Sequence, residues 1–299
     1  MRTLCLGEAL VDLVCEHAVD SPAQADAFVP RFGGDVANAA VTAARCGADI
    51  ALAGGAGDDA WGIWLRDRLA AEGVGLDWFG LLAGVQTPIA FVTVDGHGEP
   101  TFVFYGDVVA PAVRAVGSRL PEAVTASDAL FLTSNTLLGE QERMLALTAR
   151  RQAIDEGKPV VLDANLRPAR WASADAAVAT VEGCVPGAAL LKCNRAEAQV
   201  LTGRDDPAAA ADALLELGAR SVVVTLGADG ALLRGAGGAR DVPGVQAAPV
   251  DTTGAGDAIT GVLLARLTAG EFDPAILPDA LAEAVQAAAR VTEQFGAIA

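Results

Sequence analysis

The sequence predicts an α/β fold, with a mostly parallel central sheet covered by helices on both faces and a small antiparallel β lid. Three observations predict it. Short apolar runs alternate with helically periodic stretches along most of the chain, as in parallel sheets joined by crossover helices. Two segments, roughly 12–32 and 86–107, break that rhythm with hairpin-like alternation and read as a lid inserted in one domain spanning 1–299. The 299 residues are 52% hydrophobic, enough to bury a large core.

In chain order, Thr3 to Gly7 reads as a strand, an alternating run continues to Val14, and a Pro-containing loop leads to Phe28-Val29-Pro30-Arg31-Phe32. After Gly33-Gly34, the residues Val36, Ala37, Ala40, Val41 and Ala44 repeat at helical spacing until Gly47, and Ile50 to Ala53 forms the next strand. Residues 58–72 predict an amphipathic helix with Trp61, Trp64, Leu65 and Leu69 on one side. Thr87 to Asp95 and Thr101 to Tyr105 alternate around Asp95-Gly96-His97-Gly98, a hairpin signal. Strands are expected near 129–133, 159–163, 188–192 and 221–226, each followed by a helix, and a last helix begins near Ala255 with Ile259, Val262, Leu263 and Leu267 on its apolar side.

Charge and cysteine usage exclude several function classes. A formal net charge of −17 repels nucleic acid and anionic membrane surfaces, which require clustered Lys and Arg. Glu8 and Asp12 interrupt the first apolar run, so neither a signal peptide nor a membrane span is expected, and the cytoplasm is the predicted compartment. The five cysteines form no Cys-x-x-Cys pair and read as reduced, buried thiols. His17 and His97, the only histidines, fall in loop or lid segments and are not assigned to catalysis. Gly-x-x-x-x-Gly-Lys-[Ser/Thr] is absent, which excludes a P-loop, and the first strand lacks the Gly-x-Gly-x-x-Gly of a dinucleotide site.

The segment from Asp251 to Gly261 carries the chemistry: Thr252-Thr253-Gly254-Ala255-Gly256-Asp257 runs small residues and one carboxylate into a helix. Uncovered N–H groups and the positive end of the helix dipole suit an anion there. By itself the segment fits equally a capped helix whose Asp257 only complements the dipole.

Asp251 to Gly261 resembles the C-terminal signature of the ribokinase-like (PfkB) carbohydrate kinases, and Gly33-Gly34-Asp35-Val36-Ala37-Asn38 resembles their N-terminal one. Asn194-Arg195-Ala196-Glu197, after the strand Ala189-Leu190-Leu191-Lys192, is similar to their Asn-x-x-Glu element, so the likeness spans the chain. The resemblance implies an ATP-dependent phosphotransferase acting on a sugar alcohol group. Asp257 is implied as the base, with the N–H groups of Gly254, Ala255 and Gly256 as the anion hole. Asp12, Gly33, Gly34, Asn38 and Arg167 are implied on the sugar side. Asn165, Lys192, Asn194, Thr225, Gly227, Gly230 and Gln286 are implied on the nucleotide side, Gln286 standing where relatives often carry Asn. Glu197 is implied to position Mg2+, through water, and a monovalent cation near Asp251 and Thr253 is left open. The family also implies a homodimer paired through the lid.

Asp163-Ala164-Asn165-Leu166-Arg167-Pro168-Ala169-Arg170-Trp171 resembles fructokinases and 2-keto-3-deoxygluconate kinases more than ribokinases or adenosine kinases. Gly106 stands where both groups commonly place Arg after the aromatic pair, and Asp35 is frequent in the 2-keto-3-deoxygluconate kinases. The expected substrate is a neutral ketohexose such as fructose, with 2-keto-3-deoxygluconate as the alternative enzyme substrate. A catalytically silent binding protein on the same fold is the alternative of another class.

Overall fold

The computed structural model describes residues 1–107 and 110–298. The strands are β1 (Arg2–Leu6), β2 (Leu10–Ala18), β3 (Val29–Gly33), β4 (Asp49–Gly57), β5 (Phe79–Leu82), β6 (Ile89–Val94), β7 (Pro100–Tyr105), β8 (Ala129–Thr133), β9 (Val160–Asp163), β10 (Leu190–Asn194), β11 (Ser221–Thr225), β12 (Gly230–Gly235) and β13 (Arg240–Pro243). Between them lie α1 (Asp35–Arg45), α2 (Ala60–Ala71), α3 (Ala110–Val116), α4 (Leu120–Thr125), α5 (Glu140–Asp155), α6 (Ala174–Glu182), α7 (Arg195–Thr202) and α8 (Pro207–Glu216), and the chain closes with α9 (Ala255–Ala269) and α10 (Leu277–Val291).

The large sheet runs β13, β12, β11, β10, β9, β8, β1, β4, β5, and it is parallel from β11 to β5. Successive residues of a strand face opposite sides, so a strand covered on both faces must be apolar throughout. In β1, Leu4 and Leu6 enter one core cluster and Cys5 enters the other. Helices α1, α9 and α10 build the Cys5 side, whereas α5, α7 and α8 build the Leu4 side.

After β11 only a short 3-10 turn (Gly227–Asp229) follows, not the α-helix that the strand–helix rhythm predicts. Gly227 (φ 63°) and Gly230 (φ 103°) take positive φ, which side-chain-bearing residues seldom adopt, and the chain doubles back into the antiparallel strands β12 and β13. β5, α3 and α4 add elements that the alternation did not single out.

The segments 12–32 and 86–107 hold strands of a second sheet, ordered β3, β2, β6, β7. It is antiparallel within the pairs β2–β3 and β6–β7, and a parallel pairing of β2 with β6 joins the two. At the β6–β7 turn, Asp95 accepts hydrogen bonds from the N–H groups of His97 and Glu99.

One close approach positions everything that follows. A Cβ added at Gly261 of α9 would lie 2.5 Å from Thr42 Cβ and 2.7 Å from the Ala39 carbonyl oxygen of α1, so the two helices meet with no room for a side chain. Gly261→Leu is expected to lower stability by about 1–3 kcal/mol through overpacking. Chemical denaturation checks this, and an unchanged midpoint would contradict the close packing.

Candidate active site

Asp257 lies in the first turn of α9, only 8% exposed, and its Oδ2 accepts a hydrogen bond of 2.9 Å from Asn38 Nδ2. Asn38 belongs to the first turns of α1, entered through Gly33 and Gly34. A Cβ at Gly34 would stand 2.6 Å from the Glu8 carbonyl oxygen, and φ is 96° there; one at Gly33 would stand 2.5 Å from the Asp12 carboxyl. Only glycine fits at Gly34, whereas a side chain at Gly33 would displace Asp12 and Leu10. Asp12 reaches the site from β2, beside β3, and is 4% exposed.

These carboxyls crowd one another. Burial, then the charges of Asp35, Asp257 and Asp251, push Asp12 well above the usual carboxylate range. Burial and then Asp35 do the same to Asp257, against the Asn38 hydrogen bond and the Lys192 charge.

The helix start beside Asp257 offers donors. Gly254 adopts φ 77° as the N-cap of α9, and a Cβ there would meet Ala297 Cβ at 2.3 Å. The Ala255 N–H closes a turn to the Thr252 carbonyl at 3.3 Å, while the N–H groups of Gly254 and Gly256 have no hydrogen-bond partner among the described residues. The free anion donors are therefore two of the three expected. Lys192 Nζ lies 3.0 Å from where a Gly256 Cβ would be and forms a 2.9 Å ion pair with Asp163 Oδ2, which also accepts from Thr260 Oγ1 at 2.8 Å. Desolvation opposes the Lys192 charge, but Asp163 and Glu197 outweigh it and hold the ammonium above its ordinary range. The loop thus presents backbone donors and one fixed cation to an anion.

Two clefts flank this centre. One, of about 280 Å³, is lined by Thr225, Gly227, Gly230, Gly256 and the α10 residues Val285 and Ala289. The other, of about 400 Å³, lies between the sheets and is lined by Glu8, Asp35, Phe104, Asn135, Arg167 and Arg170, among others.

A model of the pfkB family of carbohydrate kinases matches residues 2–299. The chain belongs to that family. It is 34% identical over 276 residues to fructokinase-1 of Oryza sativa subsp. japonica, covering 91% of this chain and 84% of that one. To aminoimidazole riboside kinase of Salmonella typhimurium it is 30% identical over 296 residues, 98% of this chain and 89% of the other. The solved fructokinase of Vibrio cholerae O395, in its fructose-, ADP- and calcium-bound form, superposes with a TM-score of 0.84 at 31% identity, covering 99% and 94% of the two chains. The protein is thus a sugar kinase, a phosphotransferase with an alcohol group as acceptor.

In this carbohydrate kinase, the structure gathers Asp257, Asn38, Asp12, Gly33 and Gly34 at one end, and Thr225, Gly227 and Gly230 around the smaller cleft. Other expected residues lie outside both groups. Gln286 is exposed and borders an adjoining recess, Val285 and Ala289 of the same helix facing the cleft instead. Asn165 is buried at φ 32° in the loop after β9, its carbonyl accepting from Ser134 Oγ and its N–H donating to Asp163, outside the lining of the smaller cleft. Asn194 and Glu197 form a capping box: Asn194 Oδ1 accepts from the Glu197 N–H, and Glu197 Oε2 accepts from the Asn194 N–H.

Glu197 Oε1 also accepts from the Leu166 N–H, at 2.8 Å. With each oxygen engaged by a backbone donor, the carboxylate is fixed in place and suits a hydrated magnesium ion held through water rather than a direct bond.

Glu8, Asn135 and Arg170 were not among the residues expected at the site. Asn135 follows β8 at its carboxyl end, where ligands gather in open α/β sheets, and that position was the available signal.

Because burial and Asp35 hold the proton on Asp257, the acid limb of the kcat/KM profile is expected above the free aspartate value of about 3.9, activity falling as pH drops through it. An acid limb at or below that value contradicts the assignment of Asp257.

Proposed function

We propose that this sugar kinase transfers the γ-phosphate of ATP to a hydroxyl of a ketohexose, fructose being the first candidate, with Asp257 as the base. The observation that carries the reading is the place of Asp257. It bonds Asn38 on the sugar side and follows Gly256, whose free N–H borders the smaller cleft.

In this reading the sugar extends from the larger cleft, lined by Glu8 and Asp35 but not by Asp12 or Asn38, to those two residues, which bond its hydroxyls. Asp12 has a carboxyl to accept, and Asn38 Oδ1 is buried without a partner, leaving an acceptor for a hydroxyl donor. ATP lies along the smaller cleft, with adenine against its largely apolar wall of Val285, Ala288 and Ala289. Asp257 takes the proton as the sugar oxygen attacks the γ-phosphorus and ADP departs. The Gly254 and Gly256 N–H groups and Lys192 stabilise the charge that accumulates on the transferring group. Magnesium, positioned by Glu197 through water, neutralises phosphate charge when bound. The fructokinase likenesses support the choice of sugar, and the likeness to aminoimidazole riboside kinase marks the competing acceptor class.

A second acceptor, 2-keto-3-deoxygluconate, is the alternative, since Arg167 and Arg170 line the larger cleft despite Gly106, although the carboxylates of Glu8 and Asp35 line it too. The small sheet acts as a lid over the sugar and as a dimer surface. Phe102, Phe104 and Tyr105 of its edge strand β7 are exposed at 37%, 43% and 59%.

Asp257→Asn is expected to cut kcat by about 10²–10⁴ while leaving sugar and nucleotide dissociation constants nearly unchanged. A coupled ADP-release assay across fructose, ribose, 2-keto-3-deoxygluconate and a nucleoside measures the acceptor, and preference for the nucleoside would overturn the sugar assignment. Light scattering at micromolar concentration is expected to give a dimer; a monomer contradicts pairing through the lid.

A further inference from the structure

Inside the larger cleft, two carboxylates and one guanidinium group hydrogen-bond one amide, and a second guanidinium, that of Arg167, lines the same cleft. Asn135 Nδ2 donates to Asp35 Oδ2 at 2.6 Å and to Glu8 Oε1 at 3.2 Å, spending both of its hydrogens. Its Oδ1 accepts from Arg170 Nη1 at 3.2 Å, and the Arg170 guanidinium lies over the Phe104 ring of β7, 5.6 Å from the centroid. Desolvation works against the charge of the fourth group, Arg167, and Asp35, Glu197 and Asp257 together outweigh it. Glu8 is 1% exposed, and its Oε2 is buried with no hydrogen-bond partner.

We propose that Glu8 and Arg170, joined through Asn135, set the charge that the cleft accepts, so that neutral sugars are phosphorylated in preference to sugar acids. The inference rests on the reading that this cleft holds the acceptor sugar. With Glu8 ionised, two negative and two positive groups cancel. A hydroxyl serves such a cluster fully, because it donates to a carboxylate while accepting from a guanidinium. The carboxylate of a sugar acid only accepts; it finds the arginines already facing Asp35 and Glu8, and it stands beside two like charges. Arg170 thus lies against Phe104 of β7, the strand that precedes Gly106, and Glu8 opposes its charge.

The groups that face Glu8 are Asp35 from α1, Asn135 from the turn after β8 and Arg170 from the loop after β9. Burial and then Asp35 push the Glu8 carboxyl up to about 7, so its charge is present at pH 8 and mostly lost at pH 6. Protonation leaves the cluster with one excess positive charge, and the preference for neutral sugars weakens.

The test is a charge cycle read as the ratio of kcat/KM for fructose to that for 2-keto-3-deoxygluconate. A ratio measured within each variant is unaffected by the folded fraction. At pH 8, Glu8→Gln is expected to lower it about tenfold, Arg170→Met to raise it, and the double variant to return it toward the parent value. From pH 8 to pH 6 the parent ratio falls, whereas that of Glu8→Gln stays level. An unchanged ratio in Glu8→Gln, or both single variants moving in the same direction, overturns the proposal. Absence of fructose turnover in the parent overturns the ketohexose reading alone. The cycle is then run with the neutral sugar that is phosphorylated and its own carboxylic acid, and the same two outcomes decide.

Discussion

The contact between α1 and α9 is the constraint on which the site depends. Gly261 and the small residues of α1 let the helices touch backbone to side chain, and their first turns then converge on the Asn38–Asp257 hydrogen bond. Both helices begin at glycines with positive φ, Gly34 and Gly254, each held where a Cβ would collide with the chain beneath it. Left-handed glycines and close packing therefore fix where Asp257 stands, at the start of a helix.

Electrostatics explains why so acidic a chain can hold an anion. The net charge of −17 opposes a nucleotide from a distance, but the local field at Gly256 is set by free backbone donors and by Lys192. Lys192 is buried, and it keeps its proton because Asp163 pairs with it and Thr260 satisfies the same carboxyl oxygen. Asp163 thus ties β9, β10 and α9 together beside Gly256. Burial and the nearby charge of Asp35 raise the proton affinities of Asp12 and Asp257, which suits the proposed role of Asp257 as a base near neutral pH.

Much of this was legible in the sequence. The run of small residues before Asp257 marked a helix start near Ala255 because glycine and alanine leave N–H groups uncovered, and Gly33-Gly34 marked the second one. The hairpin of 86–107 showed in its alternation and in Asp95-Gly96-His97-Gly98. The reversal after β11 was not legible, since Gly227 and Gly230 read equally as a loop before a helix. Glu8 was hidden for a different reason. A carboxylate in an apolar opening run has the same letter whether it faces water or a closed network, and its partners Asn135 and Arg170 lie more than a hundred residues away. Gln286 differs through helical phase: it borders an adjoining recess, whereas Val285 and Ala289 of the same helix line the smaller cleft.

The central claim, that Asp257 joins a sugar cleft to a nucleotide cleft, is tested most directly by a crystal structure with fructose and ADP bound. The account predicts one sugar hydroxyl within about 3 Å of an Asp257 carboxylate oxygen, facing the Gly254–Gly256 loop. A sugar bound with every hydroxyl out of reach of Asp257, or a nucleotide outside the cleft bordered by Gly227 and Val285, would contradict it.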